Sequence, residues 1–239
     1  MLVQTKAIVF SSLKYGDTSL IVKAYTASDG LKSYLLKGVL ASKKGKLKVA
    51  YFQPLMQLEL TANHKNKGTL ESIREVKVIN PYQSLHTDIV KNSIVLFLAE
   101  MLGNSIQEEE KDISLYNYLE DALKWLDINN KIANYHLLFL INLTKYLGFY
   151  PEENSGVFNH FDLLEGQFVT SPTLNPLIHE EQVLVFKQLL GINFDALLTL
   201  KITKVNRESL LKSVILYFEL HLHGFRKPKS LAVLNAVFD

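Results

Sequence analysis

GLKSYLLKGVLASKKGKLKVA, residues 30–50, carries Lys32, Lys37, Lys43, Lys44, Lys46 and Lys48, and no Asp or Glu occurs between Asp29 and Glu59. Two short alternating runs, Lys32–Leu36 and Leu47–Phe52, flank a segment with Gly38, Ser42 and Gly45. This pattern reads as two strands joined by a lysine-rich loop. A cation-rich segment on a β scaffold points to a polyanion, with nucleic acid first among them. The competing reading is a solvated loop whose lysines only keep the chain in solution. Solubility alone does not require the missing carboxylates.

The surrounding sequence supplies the rest of a small β domain. Leu2–Phe10 alternates around Val3, Thr5, Ala7 and Val9, and Tyr15-Gly16-Asp17 is turn chemistry. Ser19–Thr26 reads as a second strand and Ser28-Asp29-Gly30 as a turn closed by glycine. Gln57–Thr61 extends the fourth strand beyond Pro54, a residue that marks a bulge or edge. Asn63–Gly68 is another polar turn, Leu70–Ile79 a fifth strand, and Asn80-Pro81 ends the β region. Five short strands in residues 1–80 predict a closed or partly closed OB-type barrel, whose exposed face and loops bind single strands. Such binders pair a cationic groove with aromatic platforms. The local aromatics are Phe10, Tyr15, Tyr25, Tyr34, Tyr51 and Phe52. Alternation places about half of them in the core. Tyr34 and Tyr51 flank the lysines, so these two are the stacking candidates.

From Tyr82 the apolar period changes from two to about 3.6, so the chain reads as α+β, with a β domain over 1–80 and a helical domain over 81–239. Helices are expected at Thr87–Leu102, with Ile89 on its apolar face and Gly103-Asn104 at its end, and at Ser114–Ile128 and Lys131–Leu147. Between about 151 and 180 the period disappears amid Gly156, Gly166, Pro172 and Pro176, which predicts a loop or small hairpin insertion. Helices resume at Glu181–Leu190, Phe194–Leu200 and Asn206–His223, before a short apolar C-terminal piece.

Charge divides the chain in the same place. Residues 1–80 hold 13 Lys and Arg against 5 Asp and Glu, a balance of +8, whereas residues 81–239 carry −6. A basic third joined to an acidic remainder suggests that the basic part faces the polyanion. There is no cysteine, which excludes disulfides and thiolate metal sites and fits a reducing compartment. Met1–Phe10 lacks the pattern of a signal peptide, and no apolar run approaches the roughly 20 residues of a membrane helix. A cytoplasmic location without membrane partners is expected, nucleoid-associated when the protein acts on DNA. No phosphate-binding glycine loop, dinucleotide fingerprint or nucleophile elbow occurs. The seven histidines are scattered. His179-Glu180-Glu181 lacks the second histidine of a zincin helix, His221 and His223 cannot share a ligand on a helix, and His160 with Asp162 is a weak pair. All seven read as structural or surface residues. No catalytic residues, no metal site and no cofactor are expected.

The run AIVFSSLKYGDTSLIVKAYTASDGLKSYLLKGVLASKKG, residues 7–45, with Phe52-Gln53-Pro54, resembles the RecO family of bacterial DNA-repair recombination mediators. Leu138–Tyr150, ending Leu-Gly-Phe-Tyr-Pro, and F-D-x-x-x-G-x-F at residues 161–168 are further echoes. The resemblance implies an OB domain, a helical domain and no catalytic turnover. It also implies binding of single- and double-stranded DNA, strand annealing, engagement of the acidic C-terminal tail of single-strand-binding protein, and loading of RecA together with RecR. Many members of the family hold zinc by four cysteines in the insertion, and here residues 151–175 contain none. A zinc-less insertion held by turns and by Val157, Phe158, Phe161, Leu163 and Phe168 is therefore expected. The DNA-binding set is Lys32, Lys37, Lys43, Lys44, Lys46, Lys48, Tyr34 and Tyr51. By the same resemblance the partner tail falls to Lys124, Lys131 and Lys145, against a competing reading of scattered solvated lysines. Lys227 and Lys229 form a weaker basic spot. Two functions of other classes compete: an RNA-binding OB protein, and a cryptic hydrolase that the missing motifs disfavour.

Overall fold

β-Branched and aromatic residues crowd the first ten positions, and the chain there is extended. The computed structural model describes residues 1–41, 47–65, 67–107, 110–152 and 156–238. Its N-terminal strands are β1 (Leu2–Tyr15), β2 (Ser19–Thr26), β3 (Gly30–Leu36), β4 (Gln57–Asn63) and β5 (Ser72–Val78). They form one antiparallel sheet in the order β3-β2-β1-β4-β5. The two edges are tied together. Leu35 N–H donates to the Glu71 carbonyl at 2.9 Å and Glu71 N–H to the Ser33 carbonyl at 2.8 Å, around a parallel bridge between Tyr34 and Glu71. Edge groups that would otherwise be open to another chain are thereby paired. The expected α+β architecture with an OB-type sheet is the one adopted.

The fourth strand needs correction. Leu47–Phe52 is not a strand; Val49–Phe52 is a turn of 3-10 helix, and β4 is Gln57–Asn63 alone. Pro54 has no N–H to pair, and Leu55 adopts φ 59° while its N–H reaches back to the Val9 carbonyl. The chain therefore turns sharply before β4, and Phe52 plugs the core instead of lying in a ladder.

Burial along β1 is continuous over Ala7–Phe10 instead of alternating. Ala7 and Val9 line the interior with Leu58, Leu60 and Tyr34. Ile8 and Phe10 face the other way and are buried as well, because helices cover that face. Phe10 stacks on Tyr25 with centroids 6.0 Å apart, and the Tyr25 hydroxyl donates to the Asp112 carbonyl. Gln57 Nε2 donates to the Glu120 carbonyl at 3.2 Å.

Two compact units divide the chain: Met1–Asp127 with Pro228–Val237, and Ile128–Lys227 with Phe238–Asp239. The change from strand to helix near residue 80 lies within the first unit, which includes α1 (Ile89–Ser105), α2 (Ile113–Ile128) up to its last residue, and α6 (Leu231–Val237). Asp88 caps α1 by accepting from Lys91 N–H at 2.9 Å. The helix runs through Gly103 to Ser105, past its expected end, and Ile89 in its first turn is exposed instead of inward. Glu100 holds the returning C-terminal segment, accepting from Lys229 N–H, Ser230 N–H and Ser230 Oγ. Asp127 gathers the entry to α1. Its carboxylate accepts from the N–H groups of Gln83, Ser84 and Leu85, and its carbonyl accepts from Lys91 Nζ at 2.7 Å.

The second unit contains α3 (Tyr135–Tyr146), α4 (Glu180–Leu189) and α5 (Lys204–His221). The insertion is a three-stranded sheet, β6 (His160–Asp162), β7 (Gln167–Val169) and β8 (Leu177–His179), in the order β7-β6-β8. Phe161, Leu163 and Phe168 are buried in it as expected, but Val157 is 89% exposed. Lys187 explains the difference. Its Nζ bonds the Gly156 carbonyl at 2.8 Å and lies 4.9 Å from the Phe158 and Phe168 ring centres. This contact fixes the flanking backbone and the Phe158 ring, and leaves the side chain between them outside.

Candidate nucleic-acid interface

The β1–β2 hairpin and the segment that leaves β3 meet at one end of the sheet. Register places Lys14 beside Leu20 and Leu20 beside Leu36, so Lys37 emerges close to the hairpin. The chain beyond β3 is fastened there: Gly38 N–H donates to Ser19 Oγ and Leu40 N–H to the Thr18 carbonyl at 2.9 Å. Gly16 turns the hairpin at φ 60°, a conformation that suits a residue without Cβ. Tyr15, beside it, is 56% exposed and Leu13 65%. Leu13 pairs with Ile21 and Ile21 with Leu35, so an apolar row crosses three strands on the outer face. Ile21 and Leu35 are half-buried, and Lys14 and Lys37 at this end are exposed.

The residues expected to bind fall into three groups. Lys37 and Lys48 are exposed, and Lys48 Nζ stands 5.9 Å from the centre of the Tyr51 ring, which is half-buried against the sheet core. Lys43, Lys44 and Lys46 lie outside the described residues. Lys32 and Tyr34 point inward. Lys32 is 5% exposed and Tyr34 is fully buried, because alternation along β3 puts both on the side of Leu36. The Tyr34 hydroxyl contacts His64 Nε2 at 2.8 Å, and His64 Nδ1 contacts Asp29 at 2.8 Å. Burial, with Asp29 and Glu71 adding to it, pushes the Tyr34 hydroxyl far above the usual phenol range. Tyr34 is a core residue and does not offer its ring to a base.

The exposed aromatic that the sequence reading passed over is Tyr15. Its signal was its place at the end of β1, beside the three-residue turn Gly16–Thr18 at the tip of the hairpin. Exposed cations also occur at the other end of β1, where Lys65 and Lys67 occupy the β4–β5 loop and Arg74 and Lys77 lie on β5. In OB folds the β1–β2 and β4–β5 loops border the oligonucleotide site.

Comparison with known proteins gives this geometry a family. Residues 1–82 match the model of the recombination protein O N terminal, and residues 86–232 that of the recombination protein O C terminal. The chain belongs to the RecO family. It is 52% identical to the DNA repair protein RecO of Christiangramia forsetii and 48% identical to that of Flavobacterium psychrophilum, over the whole of each chain. It is 35% identical to the RecO of Bacteroides fragilis, again over both full lengths.

One RecO echo acquires a physical reason. In F-D-x-x-x-G-x-F, Phe161 and Phe168 meet edge-to-face at 4.9 Å, and Asp162 accepts five hydrogen bonds. Gly166 has φ 69°, and a Cβ there would lie 2.8 Å from the Tyr217 hydroxyl. The four-thiolate zinc site of many RecO proteins does not fit this chain, which has no cysteine, and the Asp162 oxygens are already taken by protein donors. Of the lysines assigned to a partner tail, Lys124 belongs to the first unit and bonds Glu120 at 2.9 Å. Lys131 and Lys145 belong to the second. Lys131 precedes α3 and donates to the Leu198 carbonyl; Lys145 lies 4.3 Å over the Tyr150 ring. Lys227 pairs with Glu219 at 3.0 Å. Among the described residues no helix is long and apolar enough to cross a membrane.

Proposed function

We propose that this RecO-family chain binds single- and double-stranded DNA through the hairpin end of its first unit and anneals complementary strands. With RecR it helps to load RecA onto DNA coated by single-strand-binding protein, whose acidic tail it engages. The observation that carries the reading is the exposed Tyr15 and Leu13 beside Lys14 and Lys37, where the chain enters residues 38–58 with four further lysines and no carboxylate. Two DNA strands repel one another. Lysines that neutralise phosphates release counterions and lower that repulsion, so pairing becomes favourable. Lysine is a flexible point charge without bidentate base readout, so the binding is independent of sequence. The partner roles of RecR, RecA and the acidic tail rest on family membership.

Fluorescence-anisotropy salt titrations separate charge from stacking. Each phosphate contact on a single strand contributes about −0.7 to the log–log slope, so changing Lys43, Lys44, Lys46 and Lys48 together to Ala flattens it by about 3. Tyr15→Ser leaves the slope unchanged and weakens single-strand binding by about 1–3 kcal/mol, the range for one stacked base. An unchanged slope in the lysine variant places the DNA site elsewhere.

Annealing of complementary oligonucleotides tests the function itself. The protein is expected to accelerate pairing of naked strands and of strands coated with full-length single-strand-binding protein. On strands coated with a form lacking the acidic tail, acceleration is lost. Equal rates with and without the protein on naked strands overturn the reading, and tighter binding of matched RNA than of DNA favours an RNA role.

A further inference from the structure

His160 and His179 read as isolated surface residues in the sequence, and the insertion sheet brings them together. They are direct cross-strand partners on β6 and β8, so both side chains leave the same face. Their Nδ1 atoms lie 3.2 Å apart, the ring planes stand at 83°, and the pair is open to solvent. We propose that His160 and His179 form a two-imidazole site for a divalent late transition ion: Cu2+, Ni2+ or Zn2+.

The distance carries the proposal. Two nitrogen ligands about 2.05 Å from a tetrahedral ion lie about 3.3 Å from one another, so the rings already stand at ligand spacing. A neutral imidazole has one N–H and one lone pair. Without an ion, one Nδ1 must donate to the other. When an ion enters, the donating ring carries its proton on Nε2 instead, both Nδ1 lone pairs converge on the metal, and no proton is released. The face is accessible, so water completes the coordination.

The surroundings define the site's limits. Asp162, two residues along β6 from His160, is occupied by Leu164, Glu165, Thr173 and Asn175 and is not a ligand. Among the described residues no group of three His, Asp or Glu converges on an ion. The site therefore has two protein ligands and open positions, and differs in ligand type and number from a four-thiolate zinc knot. With imidazole donors the affinity order is Cu2+ above Ni2+ and Zn2+. Ligation would pin β8, whose last residue His179 leads directly into α4, to the central strand of the sheet.

The test uses the untagged full-length protein, titrated calorimetrically with each ion. One equivalent is expected to bind, with Cu2+ tightest. His160→Gln and His179→Gln are each expected to weaken binding at least tenfold and to leave the ion-free melting temperature unchanged, since the pair is exposed. The ion raises the melting temperature of the wild type and of neither variant. The Cu2+ paramagnetic resonance spectrum shows two nitrogen couplings in the wild type and loses one in each variant. Binding unchanged in both variants, or lost instead in His223→Gln, overturns the assignment, as does the absence of any ion-induced rise in melting temperature. None of these readouts depends on DNA.

Discussion

Asp162→Ala lowers the stability of the second unit by about 3–5 kcal/mol, the scale of an uncompensated buried polar cluster. Asp162 is 1% exposed. One of its oxygens accepts from the N–H groups of Leu164 and Glu165, at 3.0 and 3.1 Å, and the other accepts from Thr173 Oγ1 at 2.7 Å. Asn175 Nδ2 reaches both oxygens. Alanine removes every one of these acceptors, while the donors remain tied to a sheet of three-residue strands. Asp162→Asn keeps one oxygen in place but sets an amide nitrogen against the Asn175 amide, so its cost is about half.

The pH dependence has a definite sign. Burial alone would raise the Asp162 carboxyl, but the hydrogen bonds from Thr173, Glu165, Asn175 and Leu164 outweigh it and hold the group below its ordinary 3.8. A depressed carboxyl contributes stability that is complete above the unfolded value and disappears as pH falls through the folded one. The gap between wild type and Asp162→Ala in urea denaturation is therefore largest at neutral pH and shrinks below about pH 3.8. A gap that stays constant down to pH 2 would show that the carboxylate is not the organising group.

Asp127→Ala is expected to cost the first unit about 3–5 kcal/mol. The substitution leaves the N–H groups of Gln83, Ser84 and Leu85 without an acceptor. It also removes the negative charge that most favours the Lys91 ammonium, which is 2% exposed and bonds Ser84 Oγ and the Asp127 carbonyl, each at 2.7 Å. Burial lowers the Lys91 amine and Asp127 raises it, so without the carboxylate the buried ammonium loses its main support. Hydrogen exchange reads the effect locally: protection is lost first at Leu85 and through the first turns of α1. Protection unchanged at Leu85 would show that Asp127 does not hold this entry. The double variant with Lys91→Met recovers part of the loss, since the unpaired charge goes with its partner.

Much of the architecture was legible in local pattern. The turns at Tyr15-Gly16-Asp17 and Ser28-Asp29-Gly30 and the change of period near Tyr82 depend on neighbours in sequence, and each stands where the residues put it. The division of charge is likewise a property of the chain alone. F-D-x-x-x-G-x-F could be recognised as a pattern, but its purpose could not. The Tyr217 hydroxyl that requires glycine at 166 lies 51 residues further on, and Asp162 draws donors from as far as Asn175.

Tertiary structure decided which side of each pattern faces water. A period of two defines two faces of a strand and is silent about which one is inside. Lys32 and Tyr34 share a face with Leu36, and closure of the sheet onto Glu71 turned that face inward, which buries the Tyr34 ring while Tyr15 stays exposed. Helix cover over the opposite face made Ile8 and Phe10 core residues along with Ala7 and Val9. The same dependence on distant partners joined His160 to His179 across 19 residues. The amino-acid sequence by itself determined a basic OB-type unit followed by helices. The pairing of strands determined which lysines and rings that unit can present to a nucleic acid.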